Sequence, residues 1–481
     1  MRRISREADI QELSKDAGMI VIRPADAFVA ESDEDVLTVL GDARRRGLTV
    51  TPRGGGTSIP SQAVGPGVIL LQQRGGTTIE GDAVRCGPSK VKADLNRELD
   101  PHGKWVPPDP SSYESCTVGG MVANNSSGTR TFKYGSTVDY VKELTVVLPE
   151  EGVKVIRPMG VEDAMNADPT TKKVAAIIIE NQKAIQEEKP RVTKNSCGYR
   201  LEKVVHDDIF DLPKLFVGSE GTLGVVTDIV FATPPKPKSR ALLIMETSLD
   251  GLDRLVSVCR RLGPSAVELV DKSVFEQTGK EERLKTLSRT EEDYLVFCEL
   301  DGNGKDDARH ALEMASESEI SGYDPLAVSD PGELAAAMGV RNEILTLAQD
   351  IRVGTRALLP GVEDLVGPPD RLGDLVALLK AEFEGRGLPY ISYGHAGDAN
   401  LHMRPLLDPN SRAERRVLEE IMEECFEQVW KMGGSITGEH GDGMLRARYV
   451  PRQYPKTHPL MRQIRETYDP KGLLCPGVKI V

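Results

Sequence analysis

Hydrophobic spacing along the chain switches between two periods, and the switches predict most of its elements. SDEDVLTVLGDARRRGL places Val36, Leu37, Val39 and Leu40 behind a Ser cap and early acids, with arginines before Gly47, which predicts a helix. A helix is also expected before residue 18, and MIVIRPADAFVA reads as a short strand followed by a loop. TVTP and GVILL are short apolar runs that predict strands, and VKELTVVLPEEGVKVI (141–156) predicts a strand, a turn and a second strand. Residues 162–189 read as one or two helices. TPPKPKS (233–239) is a linker by composition. Beyond it ALLIMETS, SAVELVD and DYLVFCELDG alternate with helical segments, one ending at Gly263 and one running from Asp306 to about Ser318, the pattern of helices packed on a sheet. Helices from Gly332 to Asp350 and from Pro368 to Glu384 flank the strand VGTRALLP. A long helix from Ser411 to Met432 ends at Gly433-Gly434.

Three stretches follow neither period. PPDPSSYESCTVGGMVANNSSGTRTFKYG (107–135) is rich in Ser, Thr, Asn and Gly, and its apolar pieces are too short for an amphipathic face, so it is expected to be a loop system rather than a helix. Pro107, Pro108 and Pro110 stiffen its start, while Gly119, Gly120, Gly128 and Gly135 allow the backbone to approach a ligand. Converging amides and hydroxyls of this kind make an anion cradle. Arg53-Gly54-Gly55-Gly56-Thr57-Ser58, between two expected strands, is a second such loop. Gly218-Ser219-Glu220-Gly221-Thr222-Leu223-Gly224, ahead of a Val-rich strand, is a third.

Composition narrows the field. A chain of 481 residues exceeds one ordinary core and is expected to form two domains. Its net charge of -13 argues against nucleic acid as the main partner. Seven scattered cysteines contain no CxxC pair, which excludes a zinc ribbon and a local iron–sulfur run and fits a reducing compartment. With no apolar signal core and no apolar run of spanning length, the expectation is a cytoplasmic protein without a transmembrane segment.

Chemistry concentrates in Gly394-His395-Ala396-Gly397-Asp398-Ala399-Asn400-Leu401-His402 and Gly438-Glu439-His440-Gly441-Asp442-Gly443. A period of two puts Asn400, His402 and Arg404 on one face of a strand and Leu401 and Met403 on the other, as expected of a site wall. Taken singly, each histidine would be an ordinary hydrogen-bonded side chain. Together, His395, His402 and Glu439 are suited to a Zn²⁺ or Mn²⁺ ion with open positions for substrate. A metallohydrolase would use the same donors to activate water, although it would have no need of three glycine loops.

The motifs PRGGGTS, DPSS with TVGGMVANNSSG and YG, GSEGTLGVV, GHAGDANLH and GEHGDG occur in the order that resembles FAD-linked D-2-hydroxy-acid dehydrogenases, the group containing D-lactate dehydrogenases, the glycolate oxidase flavin subunit and D-2-hydroxyglutarate dehydrogenases. The resemblance covers nearly the whole chain. It implies an α+β fold with three parts: a two-part FAD-binding domain of the vanillyl-alcohol oxidase type (1–235), an α/β cap domain with an antiparallel sheet (240–410), and a helical C-terminal return (411–481) that closes the flavin site. By the same resemblance FAD meets Pro52, Arg53, Gly54, Gly55, Gly56, Thr57, Ser58 and Gln62 from the first loop. From the long loop it meets Pro110, Ser111, Thr117, Gly119, Gly120, Ala123, Asn124, Asn125, Ser127, Gly128, Tyr134 and Gly135. Glu220, Gly221, Gly224, Val225 and Val226 complete the set. Thr57 stands where covalent members of the superfamily carry a histidine, so noncovalent FAD is implied.

For catalysis His440 is the best-placed base in sequence terms, and the resemblance implies Arg341 and Arg356 as carboxylate anchors, with Leu345 where hydroxyglutarate-type members carry a threonine. Cys475 stands where the family tail reads Asn before Pro-Gly. A small 2-hydroxy acid is the implied substrate. The electrons would pass to a separate acceptor, an iron–sulfur protein, an electron-transfer flavoprotein or a quinone, to which the protein could bind at a membrane surface. A flavin-bearing transferase of the ether-lipid synthase kind shares the fold and is the alternative.

Overall fold

A computed structural model describes residues 1–481 apart from 278 and 280, and leaves the side chains of 276, 281, 283, 344–350, 352 and 353 undescribed. Leu345 therefore lies outside the described side chains.

The N-terminal half holds two larger sheets and a small three-stranded one of Pro158–Gly160, Ile209–Asp211 and Val205–His206. In the first, Arg2–Arg3, Asp26–Ala30, Val68–Gln72 and Val50–Pro52 lie in that order, the last three mutually parallel. The strand expected at MIVIRPADAFVA thus forms at its end, beyond Pro24, because the parallel partner Val68–Gln72 sits there. The expected helix spans Asp33–Arg45, and the Ser32 side chain accepts a hydrogen bond from the Asp35 amide at 3.2 Å. In the second sheet Thr77–Glu80, Ala83–Cys86, Val225–Ala232, Val141–Leu148 and Gly152–Ile156 are all antiparallel, with the strand after the third glycine loop at the centre.

The long loop contains a helix that periodicity missed. Val118–Asn124 is helical, capped by the Thr117 side chain, and Asn125 ends it in the left-handed region at φ 55°. Two turns suffice because Val118, Met121 and Val122 form one buried face, a pattern too short to stand out in sequence.

The cap is one antiparallel sheet whose strands run from Ser239 to Leu407. Its order is Leu326–Val328, Ser239–Thr247, Tyr294–Gly302, Ala266–Asp271, Tyr390–His395, Asn400–Leu407, Arg356–Leu358 and Arg352–Val353, with Leu365–Val366 also on Asn400–Leu407. Its strands bury both faces. Leu242, Ile244, Phe297, Val270 and Leu406 pack against the Pro331–Asp350 helix through Ala337 and Val340, while Leu243, Met245, Val296, Leu269 and Met403 join the main core on the other side. The sheet is docked on the long loop by ion pairs. Arg130 grips Glu299 with two hydrogen bonds of 2.7 and 2.8 Å and Asp109 with a third of 2.6 Å, and the Tyr134 hydroxyl donates to Asp301 at 2.7 Å.

The chain then returns. Arg412–Met432 ends at Gly433, φ 83°, and the following turn carries Glu439 and His440 back between cap and glycine loops. Leu474 bridges Val50 in the first sheet, and Lys479 is wholly buried between Glu220 and Asp442, 2.9 Å from each. Burial disfavours its charge, but Asp442 and Glu220 outweigh that and hold the ammonium above its usual value.

Candidate active site

The first and third glycine loops and the Val118–Asn124 helix face each other across a cleft. Of the residues expected there, Pro52, Arg53, Gly54, Ser58, Gln62, Thr117, Gly119, Gly120, Ala123, Asn124, Glu220, Gly221, Gly224 and Val226 line it. The backbone cradle is tight: a Cβ on Gly119 would come within 2.6 Å of Pro88, and one on Gly54 would run into the Thr117 hydroxyl. Sequence reasoning missed Ala63, Leu71, Gln72, Pro88, Ser89 and Ser219, which also line it and carry no motif.

Several expected contacts have other roles. Gly55, Gly56 and Thr57 do not line the cleft. The Arg53 guanidinium donates to the carbonyls of Ala63 at 2.9 Å and Lys15 at 2.9 Å, tying the N-terminal segment to the loop. Asn125 accepts from the Val138 amide, Val225 is buried in the core of the first sheet, and Tyr134 and Gly135 belong to the cap-docking turn. Pro110, Ser111 and Gly128 line a second, larger cavity, and the Ser127 hydroxyl donates to Glu439 at 3.3 Å.

That second cavity, of about 1150 Å³, opens between the long loop, the cap sheet and the return segment. His402 and Arg404 line it as the period of two predicted, while Asn400 of the same strand is buried and donates to Asp364 at 3.1 Å. At its inner end the Nε2 atoms of His402, His395 and His440 stand 3.2, 3.3 and 3.5 Å from one oxygen of Glu439. The other Glu439 oxygen accepts from Lys194 at 3.0 Å, and Lys194 also donates to Asn400 at 3.2 Å. Burial opposes ionisation of Glu439, but Lys194 and His395 hold its carboxyl well below the usual range. His395 is oriented from behind by Glu268, whose oxygens lie 2.8 and 3.0 Å from its Nδ1. Burial would lower its pKa, yet Glu268 and Glu439 raise it to about 9. Burial pushes His402 down to about 4 against the pull of Glu439.

This donor set fits a divalent ion. Three imidazole nitrogens converge on one carboxylate oxygen, an arrangement a shared cation satisfies better than protons do, and Glu268 behind His395 is the outer partner such sites use. Asp364 lies close enough to be grouped with His402, Glu439 and His440. Its oxygens are already engaged by Thr437, Asn400 and the amides of Glu439 and His440. Lys194, Glu268 and Asp364 were not legible as site residues, since each acts across more than 35 positions of chain.

The expected carboxylate anchors are only half brought to the site. Arg341 lines the cavity but is ion-paired with buried Glu268. Arg356 is not among the lining residues: it pairs with Glu414 at 2.8 Å on the far edge of the sheet, its side chain 43% exposed. A nearby carboxylate on the return helix captures it.

The two cavities are joined by Gln62. Its amide nitrogen donates to the His440 carbonyl at 2.7 Å and to Asn124 at 2.9 Å, while its oxygen is buried without a partner. An orphaned acceptor beside a wall of close-packed glycine backbone is what a tightly held cofactor completes.

Comparison with known proteins agrees with this geometry. Residues 234–478 match the family model described as FAD linked oxidases, C-terminal domain, and residues 24–156 match the FAD binding domain. A D-lactate dehydrogenase of Archaeoglobus fulgidus is 29% identical, over 98% of this chain and 95% of its own length. A D-2-hydroxyglutarate dehydrogenase of Pantoea ananatis is 28% identical over 98% of this chain, which spans only 49% of that relative. The glycolate oxidase subunit GlcD of Bacillus subtilis is 27% identical over 94% of this chain and 88% of its own. Among solved structures, p-cresol methylhydroxylase superposes with a TM-score of 0.71 at 13% identity, covering 100% of this chain and 94% of that one, so the fold is shared. No helix among the described residues is long and apolar enough to cross a membrane.

Proposed function

The chain belongs to the FAD-linked oxidase family, and from that premise we propose that it is a dehydrogenase that oxidises a D-2-hydroxy acid to the 2-oxo acid. The observation that carries this reading is the convergence of three histidines and Glu439 at the end of a cavity joined through Gln62 to the flavin cleft. Relatives named for D-lactate, D-2-hydroxyglutarate and glycolate support the substrate class.

Bound FAD supplies the two-electron acceptor, and Thr57 in the first loop argues for noncovalent attachment. His395, His402 and Glu439 would hold a Zn²⁺ or Mn²⁺ ion, which would supply Lewis acidity toward the substrate hydroxyl. His440 is the base. It lines the cavity, stacks on His402 at 5.2 Å between ring centroids, and its Nδ1 lies 3.5 Å from Glu363. Glu363 is kept ionised by Arg446 at 2.7 Å, so it can steady the imidazole as it takes up the hydroxyl proton. Lys194 holds Glu439 in place through its second oxygen. The electrons leave to a separate acceptor, an iron–sulfur protein, an electron-transfer flavoprotein or a quinone, and a cytoplasmic location fits the buried free cysteines.

The test is spectroscopic. The purified protein is expected to be yellow, to release its chromophore into the supernatant on acid precipitation, and to bleach anaerobically with one or more D-2-hydroxy acids but not with their L-enantiomers. Flavin that stays with the pellet would refute noncovalent attachment. A flavin that no 2-hydroxy acid bleaches would overturn the substrate class and reopen the transferase alternative.

A further inference from the structure

With Arg341 committed to Glu268 and Arg356 to Glu414, the inner cavity has another cation to account for. Arg404 is 92% buried and lines the cavity; among the described residues its side chain makes no hydrogen bond or ion pair, and its Nε is buried without a partner. Glu363 feels its charge, but the Glu363 oxygens are taken by Arg446 and the Gly361 amide. A buried guanidinium with five donors and no acceptor carries a large desolvation cost unless something completes it, and the natural complement of its planar fork is a carboxylate. The backbone says where that carboxylate lies. Arg404 is two residues beyond His402 on one strand and therefore on the same face, about 7 Å further along. A flexible side chain of that length can turn back to a small molecule whose hydroxyl is at the histidines.

We propose that Arg404 is the specificity-determining residue of this site, binding the carboxylate of the substrate while the adjacent hydroxyl faces His402, His395 and His440. The assignment rests on reading the site as a 2-hydroxy-acid oxidation centre. It makes the ligand an anion fixed at two points, the acid group at Arg404 and the carbinol at the histidine cluster. Arg341 then serves the protein rather than the ligand, through Glu268.

The experiment compares holoenzyme carrying Arg404→Gln and Arg404→Lys with the wild type, on the best 2-hydroxy acid and on its neutral amide. The wild type should prefer the acid by at least about 100-fold in kcat/KM, from the charge-assisted pairing lost with the amide. Arg404→Gln should reduce that preference to below about tenfold, mainly through KM, with metal and flavin content unchanged, and Arg404→Lys should fall between. An undiminished preference in Arg404→Gln would overturn the assignment. Oxalate titrated calorimetrically into each holoenzyme separates this from the wider reading. If no hydroxy acid bleaches the wild-type flavin but oxalate binding weakens at least tenfold in Arg404→Gln, the anion site stands and the proposed reaction falls. Equal oxalate affinity in all three would sink the anion site. Should Arg404→Gln fail to fold, Arg404→Lys alone decides: oxalate binding equal to wild type would count against the bidentate contact.

Discussion

Glu268 shows how much a single buried side chain can carry here. One carboxylate orients His395 and neutralises Arg341, so replacing it by Gln removes the charge that both partners depend on. Glu268→Gln is expected to weaken divalent-metal affinity by about 10- to 100-fold, measured by competition with a chromogenic chelator, as is usual for outer partners of ligating histidines. His440→Ala should behave differently. If it is the base, flavin reduction in anaerobic stopped flow slows by about 10² to 10⁴ while the metal stays bound; loss of the ion would move His440 into the ligand set. Lys92 gives a pH-dependent prediction away from the site. Burial pulls its pKa from 10.5 to about 7, and its ammonium donates to the Val106 carbonyl, which Asn96 also serves. Below pH 7 the folded chain bears the full cost of a buried charge. As pH rises from 7 toward 10.5 the folded state is already neutral while the unfolded state still binds the proton, so stability rises. Lys92→Met should therefore raise the melting temperature clearly at pH 6.5 and hardly at pH 10; an equal shift at both would contradict the buried-ammonium account.

At the scale of elements, what could be read in advance depended on how local the signal was. The Asn400–Leu407 strand was legible because a period of two survives burial on both faces, and it placed His402 and Arg404 together correctly. The Val118–Asn124 helix was not, because its burial comes from partners elsewhere in the chain. Arg356 was assigned by likeness to a family pattern, and the pattern cannot show that Glu414 waits on the next helix. The docking of cap to long loop was equally invisible, since Arg130 meets Glu299 across 169 positions. That contact has a testable energy. Arg130→Met alone strands a buried carboxylate and should destabilise by about 3 to 5 kcal/mol in denaturant unfolding, whereas Arg130→Met with Glu299→Leu should recover much of it. Additive losses would mean that the pair does not couple the two parts.

Across the whole molecule, the glycine loops and histidine motifs announced both a cofactor cleft and a reaction site, and the fold explains why neither could be assembled on paper. The cleft takes its walls from residues 52–72, 88–124 and 219–226, while the inner site is built from residues 194, 268, 395–402 and 439–440. Lys479 has a further consequence. It sits 259 positions from Glu220 and 37 from Asp442, and Leu474 bridges the strand that leads into the first glycine loop. Contacts so distant in sequence form late and slowly. During synthesis the glycine loops must therefore wait, unlatched, until residue 479 has left the ribosome. A nascent chain that has already built its N-terminal sheets holds every wall of the cleft, but Glu220 in its third loop has no buried cation beside it until that lysine arrives.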